Sequence, residues 1–122
     1  MDKYHTTVVA VGEMASEFAD GGILVFFGPA APDELHEFAI ITDEAELIGE
    51  VAVGDTLHLG DATFSVLSLG AIANSNIAEL GHLVVKFNGL TEPELPGDVS
   101  VPAVPAPRVT EGTVVRITGG DN

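Results

Sequence analysis

The sequence contains no cysteine among its 122 residues. This absence excludes a disulfide framework, an iron–sulfur cluster, a thiolate zinc site and a cysteine nucleophile. Basic residues are also scarce, because 4 Lys and Arg stand against 19 Asp and Glu and give a formal net charge of −15. Such a charge repels phosphate backbones and anionic membrane surfaces. The composition therefore predicts no nucleic-acid partner. The simplest explanation of the acidity is that it keeps the protein soluble.

Long apolar runs are missing as well. Gly, Asp or Glu interrupts every hydrophobic stretch before the roughly 20 residues that a membrane-spanning helix needs. The first residues, Met1–His5, lack the basic segment and apolar run of a secretory signal. We therefore expect a cytoplasmic protein that reaches a membrane only through a partner.

What the chain does contain is enough apolar material for a core. Hydrophobic residues make up 46% of the sequence, and the length suits one domain over residues 1–122. The apolar runs are short, rich in Val, Ile, Phe and Thr, and separated by turn-forming residues, which is typical of strands. The predicted strands are Tyr4–Val11, Ile23–Phe27, Phe38–Thr42, Thr56–Leu59, Thr63–Leu69, Leu83–Phe87, Val99–Val101 and Thr113–Ile117.

Local signals refine this all-β prediction. A Gly60-Asp61 turn between alternating runs predicts a hairpin, and Pro102–Pro107 predicts a crossing loop. Short helical turns are predicted over Pro32–Phe38 and Asn76–Gly81, the latter closed by a left-handed glycine. Many short strands with few helices favour a small closed barrel, because closure hides the sheet edges.

Four histidines carry the candidate chemistry, because imidazole is both nucleophilic and titratable near neutral pH. We expect His5 and His36 at the surface, and His58 solvated on the strand face opposite its leucine neighbours. His82 differs, because Glu79-Leu80-Gly81-His82 places it at a helix-to-strand junction that can hold a side chain rigidly yet leave it accessible. The residues alone leave open whether His82 is functional or structural.

Metal and cofactor motifs are absent from the sequence. It has no His-Glu-x-x-His, no serine elbow and no phosphate-binding glycine loop. Asp43, Glu44 and Glu46 lack the EF-hand pattern and are read as a solvated acidic turn. We therefore assign no metal and no cofactor.

Ordered segments along nearly the whole chain resemble the glucitol/sorbitol-specific enzyme IIA of the bacterial phosphoenolpyruvate-dependent sugar phosphotransferase system. The segments that carry the resemblance are Tyr4-His5-Thr6-Thr7 leading to Gly12, Ala31-Pro32-Asp33-Glu34-Leu35, Glu46-Leu47-Ile48-Gly49, Val66 to Gly70, Glu79-Leu80-Gly81-His82, Phe87-Asn88-Gly89-Leu90 and Glu94-Leu95-Pro96-Gly97. The resemblance implies a small β barrel with swapped hairpins. It also implies a histidine that receives a phosphoryl group from the phosphocarrier HPr and passes it to the IIB domain of a transporter.

The sequence departs from this family at the usual acceptor. The family carries a His-x-His stretch just before the Glu-Leu that corresponds to Glu46-Leu47, and here Thr42 and Glu44 occupy the two histidine places. A phosphothreonine ester is a poor phosphoryl donor, and neighbouring acids repel phosphate. His82, which matches the family segment, is then the candidate acceptor or else an orienting residue.

Two functions follow from the sequence. The first is a cytoplasmic IIA-type phosphoryl carrier with HPr and a IIB domain as partners, in which transfer depends on His82. The second is a divergent barrel without catalytic activity that acts as a partner-binding or regulatory module. The Ile- and Val-rich strand edges are also compatible with a homodimer.

Overall fold

The structure is a computed structural model that describes residues 2–119. This part of the chain forms nine strands, two short α-helices and one 3-10 turn. The strands are β1 (Asp2–Val11), β2 (Ile23–Phe27), β3 (Ile40–Thr42), β4 (Thr56–Leu59), β5 (Ala62–Ser65), β6 (Ser68–Leu69), β7 (Leu83–Phe87), β8 (Asp98–Val101) and β9 (Val114–Thr118). The helices are α1 (Ala15–Asp20) and α2 (Ala73–Leu80), and the 3-10 turn covers Asp33–Leu35.

All nine strands belong to one sheet with the order β5-β4-β9-β1-β3-β2-β7-β8-β6. The pairings are antiparallel except for β2 with β3 and β7 with β8, which are parallel. The two outermost strands, β5 and β6, are joined by only Val66 and Leu67. Because chain neighbours form opposite ends of the order, the sheet must curl. The prediction of an all-β, barrel-like fold with short helices is confirmed.

The link between β5 and β6 corrects one predicted strand. The sequence favours a continuous strand over Thr63–Leu69, but the structure divides it at Val66 and Leu67. The Val66 amide donates to the Asp55 carbonyl at 2.8 Å, on the β4 side, whereas the Leu67 amide donates to the Ser100 carbonyl at 2.8 Å on β8. The chain thus exchanges one pairing partner for another within two residues.

The core lies inside the curl and follows the alternation of the strands. β4, β7 and β9 bury every second residue, because successive side chains on a strand point to opposite faces. The alternating core residues on these strands are Leu57, Leu59, Leu83, Val85, Phe87, Val115 and Ile117. Each large apolar side chain buried in this way stabilises the fold by about 1.5–3 kcal/mol. The Gly60-Asp61 hairpin is confirmed by the pairing of Leu59 with Ala62.

The end of α2 fixes the start of β7. Gly81 adopts φ 63°, the left-handed conformation that glycine enters without a steric penalty. Its amide donates to the Ile77 carbonyl at 3.0 Å, and the His82 amide donates to the Asn76 carbonyl at 3.1 Å. These bonds satisfy carbonyl groups that the helix leaves free. The predicted helical end at Gly81 is confirmed. It places His82 immediately before Leu83, the first residue of β7.

The sequence did not predict α1. Its N-cap, Met14, makes no side-chain capping bond, so the usual polar start signal is absent. The 3-10 turn over Asp33–Leu35 confirms the predicted helical turn near Pro32. β3 begins at Ile40 rather than Phe38, because the Phe38 and Ala39 amides donate back to the Leu35 carbonyl. Within residues 2–119, no helix is long and apolar enough to cross a membrane.

Candidate functional site

His82 is held by a hydrogen bond from its ring to the backbone of β2. Its Nδ1 lies 3.2 Å from the Phe26 carbonyl oxygen. A carbonyl oxygen only accepts, so Nδ1 carries the proton of the neutral ring and Nε2 keeps its lone pair. The fold therefore selects one tautomer of His82 and leaves Nε2 as the basic, nucleophilic atom.

The position of the imidazole ring is fixed by an aromatic neighbour. The Phe27 and His82 rings have centroids 4.6 Å apart and planes tilted by 34°. Among residues 2–119, the one fully buried side-chain polar atom without a hydrogen-bond partner is Ser100 Oγ. Nε2 of His82 makes no hydrogen bond in these residues either, and because it is not one of the fully buried atoms, it is in contact with solvent. The ring is thus half-buried, with one nitrogen anchored and the other accessible.

Thr42 reaches the same end of β2 from the opposite side. β2 lies between β3 and β7 in the sheet, and Thr42 follows Ile41, the residue paired with Phe27. The Thr42 side chain is buried, and its Oγ1 donates to the Phe27 carbonyl over 3.4 Å. Thr42 and His82 therefore bind the carbonyls of consecutive residues. The structure brings together two residues that lie 40 positions apart in the sequence.

An acidic cleft lies beside this pair. It has a volume of about 200 Å³, and Asp43, Glu44 and Glu79 line it together with Gly81. Glu44 thus reaches the cleft, whereas Thr42 and His82 are each adjacent in sequence to a lining residue but do not line it themselves. Among residues 2–119, no lysine or arginine lines the cleft. An anion bound there would depend on backbone N–H groups for its neutralisation.

Tyr4 is a site residue that the sequence did not single out for chemistry. It lines the cleft from β1 and is almost fully buried. Burial raises the pKa of its hydroxyl, and the neighbouring Thr42 hydroxyl partly offsets that effect. A Cβ added to Gly81 would lie 3.4 Å from the Tyr4 hydroxyl oxygen. The only available signal was that this is the single tyrosine of the chain, within a segment that carried the family resemblance.

The other three histidines lie apart from this arrangement. His5 and His36 are exposed, as expected, and His36 Nε2 approaches the Ala31 carbonyl at 3.1 Å. His58 faces away from the buried Leu57 and Leu59, which confirms its predicted strand face. Its ring is only partly exposed to solvent, because its Nε2 lies 2.9 Å from Thr118 Oγ1.

The acidic turn shows no metal-binding arrangement. Asp43, Glu44 and Glu46 are all exposed. Among residues 2–119, no group of three or more His, Asp or Glu side chains is placed to hold a metal ion.

These features define a small, barrel-like, all-β protein with one oriented imidazole at the junction of α2 and β7. Residues 3–116 match the family model of the glucitol/sorbitol-specific IIA component of the phosphotransferase system. The chain is 33% identical over 113 residues to the glucitol/sorbitol-specific EIIA components of Shigella flexneri and Escherichia coli K12. Each alignment covers 93% of this chain and 92% of the relative.

The fold has a counterpart among solved structures. A crystal structure of a phosphotransferase-system IIA component from Enterococcus faecalis V583 superposes with a TM-score of 0.81 and 25% sequence identity. The superposition covers 94% of this chain and 99% of that chain. This chain therefore belongs to the glucitol/sorbitol-specific IIA family of the phosphotransferase system.

Proposed function

We propose that this chain relays a phosphoryl group from HPr to a IIB domain, with Nε2 of His82 as the acceptor atom. The observation that carries the proposal is the bond from Nδ1 to the Phe26 carbonyl, 3.2 Å long, which leaves the Nε2 lone pair free. In the transfer, Nε2 attacks phosphorus and forms an N–P bond while the bond from phosphorus to its donor atom on HPr breaks. The Nδ1 proton stays in place, and the Phe26 carbonyl stabilises the positive charge that develops on the ring.

The surroundings of Thr42 support His82 over Thr42 as the acceptor. The Thr42 hydroxyl is buried, and its proton is directed at the Phe27 carbonyl. An alcohol in this position has neither access to a partner protein nor a neighbouring base to activate it. Thr42 is therefore proposed as a positioning residue for the end of β2, although it occupies a histidine place of the family.

A second function is favoured by the charge of the cleft. Asp43, Glu44 and Glu79 would repel a phosphoryl group, and no lysine or arginine of the lining compensates them. This negative field is better suited to binding a partner protein without accepting phosphate, as a non-catalytic member of the IIA family would do. The two functions differ in whether the protein gains covalent phosphate.

The experiment is to incubate the protein with phosphoenolpyruvate, enzyme I and HPr and to measure its intact mass. We expect one acid-labile phosphoryl group on the parent chain and on His36→Ala, an exposed histidine control, and none on His82→Ala. Phosphate on His82→Ala would remove His82 from the acceptor role. If none of the three proteins gains phosphate while a known IIA component does so in parallel, the relay proposal fails and the binding function stands.

The same proposal sets the remaining partners. HPr and a IIB domain are the partners proposed, the cytoplasm is the proposed compartment, and contact with the membrane runs through the transporter that bears IIB. Nucleic acid is not proposed, because of the charge of −15. A homodimer stays a prediction from the Ile- and Val-rich strand edges. The proposed transfer does not require a dimer, because the site residues Phe26, Phe27, Thr42 and His82 all belong to one chain.

A further inference from the structure

A second concavity borders the same two strands as the His82 site, because Leu24 of β2 and Ile40 of β3 line it. It is a groove of about 710 Å³ between α1 and the loop that precedes β9. This volume falls within the range of roughly 300–1,000 Å³ that small-molecule sites occupy. The groove shares no lining residue with the cleft beside Gly81, and His82 is not among the residues that line it, so a ligand here would not occupy the proposed phosphoryl site.

The floor of the groove is apolar, whereas polar and charged side chains share its exposed walls. Leu24 and Ile40 form part of its lining and are almost fully buried, as is Ala15 at the start of α1. On the opposite side, Ala106 and Val109 pack against the main core while still facing the groove. An aliphatic group placed between these walls would lose its contact with water on both sides.

The rim of the groove carries separated charges. Three of the four lysines and arginines make ion pairs, and the pairs are Lys3 with Asp55, Lys86 with Asp98 and Arg116 with Asp2. The fourth, Arg108, has no carboxylate within 4.0 Å in the part of the chain that the structure describes. Asp20 and Glu111 line the same groove but do not pair with it. Within the described residues, the groove therefore offers one guanidinium and two carboxylates that make no ion pair.

We propose that this groove binds a small zwitterion with an aliphatic body, of the α-amino acid class. The guanidinium of Arg108 can take a carboxylate in a bidentate contact, and Asp20 or Glu111 can accept from an ammonium group. A dianion such as a phosphate ester would face the two carboxylates of the rim. A neutral apolar ligand would make no contact with the charges of the rim, which are exposed to water. A zwitterion is the ligand class that matches the apolar floor and both signs of charge.

The test is a ¹H–¹⁵N NMR titration of the parent protein with L-leucine. We expect saturable shifts confined to residues 11–24, Ile40 and residues 106–111. Two probes that each carry half of the charge, 4-methylpentanoate and 3-methylbutylamine, should bind at least about tenfold more weakly, as expected for loss of one charge-assisted hydrogen bond. Arg108→Gln should weaken leucine binding by a similar factor. Arg116→Gln removes an arginine that already has a partner and should leave binding unchanged.

A second variant addresses the cavity itself. Ser16 is exposed on α1 and lines the groove, so Ser16→Phe can fill it without disturbing the core. We expect this variant to fold and to lose leucine binding. Absence of saturable shifts in the parent protein, or equal affinity for leucine and 4-methylpentanoate, would overturn the proposal. Because His82→Ala leaves the groove intact, it should bind leucine as the parent does, whatever the outcome of the phosphorylation assay.

Discussion

The buried ion pair between Lys3 and Asp55 permits the sharpest prediction on stability. Their side chains are only 3% and 5% exposed, and Lys3 Nζ lies 2.8 Å from Asp55 Oδ2. Lys3 also donates to the Glu50 carbonyl at 2.9 Å, and the same Asp55 oxygen accepts from the Ala52 amide at 2.8 Å. The pair thus connects β1 to the segment that leads into β4.

Lys3→Met should destabilise the protein by about 3–5 kcal/mol, because it leaves the Asp55 carboxylate buried without its partner. That loss is a large share of the roughly 5–15 kcal/mol by which domains are stable. At about 4 °C per kcal/mol for a chain of this size, the melting temperature should fall by about 12–20 °C. Lys3→Met combined with Asp55→Asn should be less destabilised than the sum of the two single variants, because no uncompensated charge then remains.

Urea denaturation followed by far-ultraviolet circular dichroism measures these differences, since the chain has no tryptophan for fluorescence. The matched control is the surface pair of Arg116 and Asp2, 38% and 50% exposed, whose coupling should be below about 1 kcal/mol. If Lys3→Met costs no more than Arg116→Met, the reasoning from burial is wrong.

Three further predictions concern the site and its supports. In urea titrations, Gly81→Ala should lose about 1–2 kcal/mol of stability because of its left-handed backbone, and more because the new Cβ would lie 3.0 Å from Gly28 Cα. Gly49→Ala is the control: its φ is 76° but the space around it is open, so it should show the backbone cost alone. Burial raises the pKa of Tyr4, so the folded protein keeps a proton that the unfolded chain releases above pH 10, and stability should fall as the pH rises through that region. Tyr4→Phe should reduce this alkaline loss in urea midpoints measured from pH 8 to 12, and an unchanged pH profile would contradict the assignment. Thr42→Val should lose about 1 kcal/mol of stability with its hydroxyl and still gain phosphate in the intact-mass assay, so loss of phosphate in a folded Thr42→Val would contradict its positioning role.

Much of the fold could be predicted because strand signals are local. Alternation identified β4, β7 and β9, and the left-handed glycine at the end of α2 was visible as Gly81 after a helical segment. The break at Val66 and Leu67 could not be predicted, since it depends on carbonyls of Asp55 and Ser100 that are distant in sequence. α1 was missed because a helix of six residues without a polar cap has almost no signature of its own.

The candidate site divides in the same way. The junction that carries His82 was evident from the sequence, because a helix end followed by a strand is a local pattern. The features that decide its chemistry, the Phe26 carbonyl and the Phe27 ring, lie more than 50 residues earlier in the chain. No spacing rule connects β2 to β7, so the tautomer of His82 could only be read once the sheet order was known.

The position of β9 in the sheet sets the order of events in folding. β9 pairs with β1 on one side and with β4 on the other, and its pairing with β1 joins Asp2 to Thr118. During synthesis, β1 and β4 each wait with an open edge until residues 114–118 have left the ribosome. Contacts of such large sequence separation slow folding, because the loop between them must close before the contact contributes. The nascent chain therefore completes its sheet only after residues 114–118 have been made, and until then its open strand edges most need protection from aggregation.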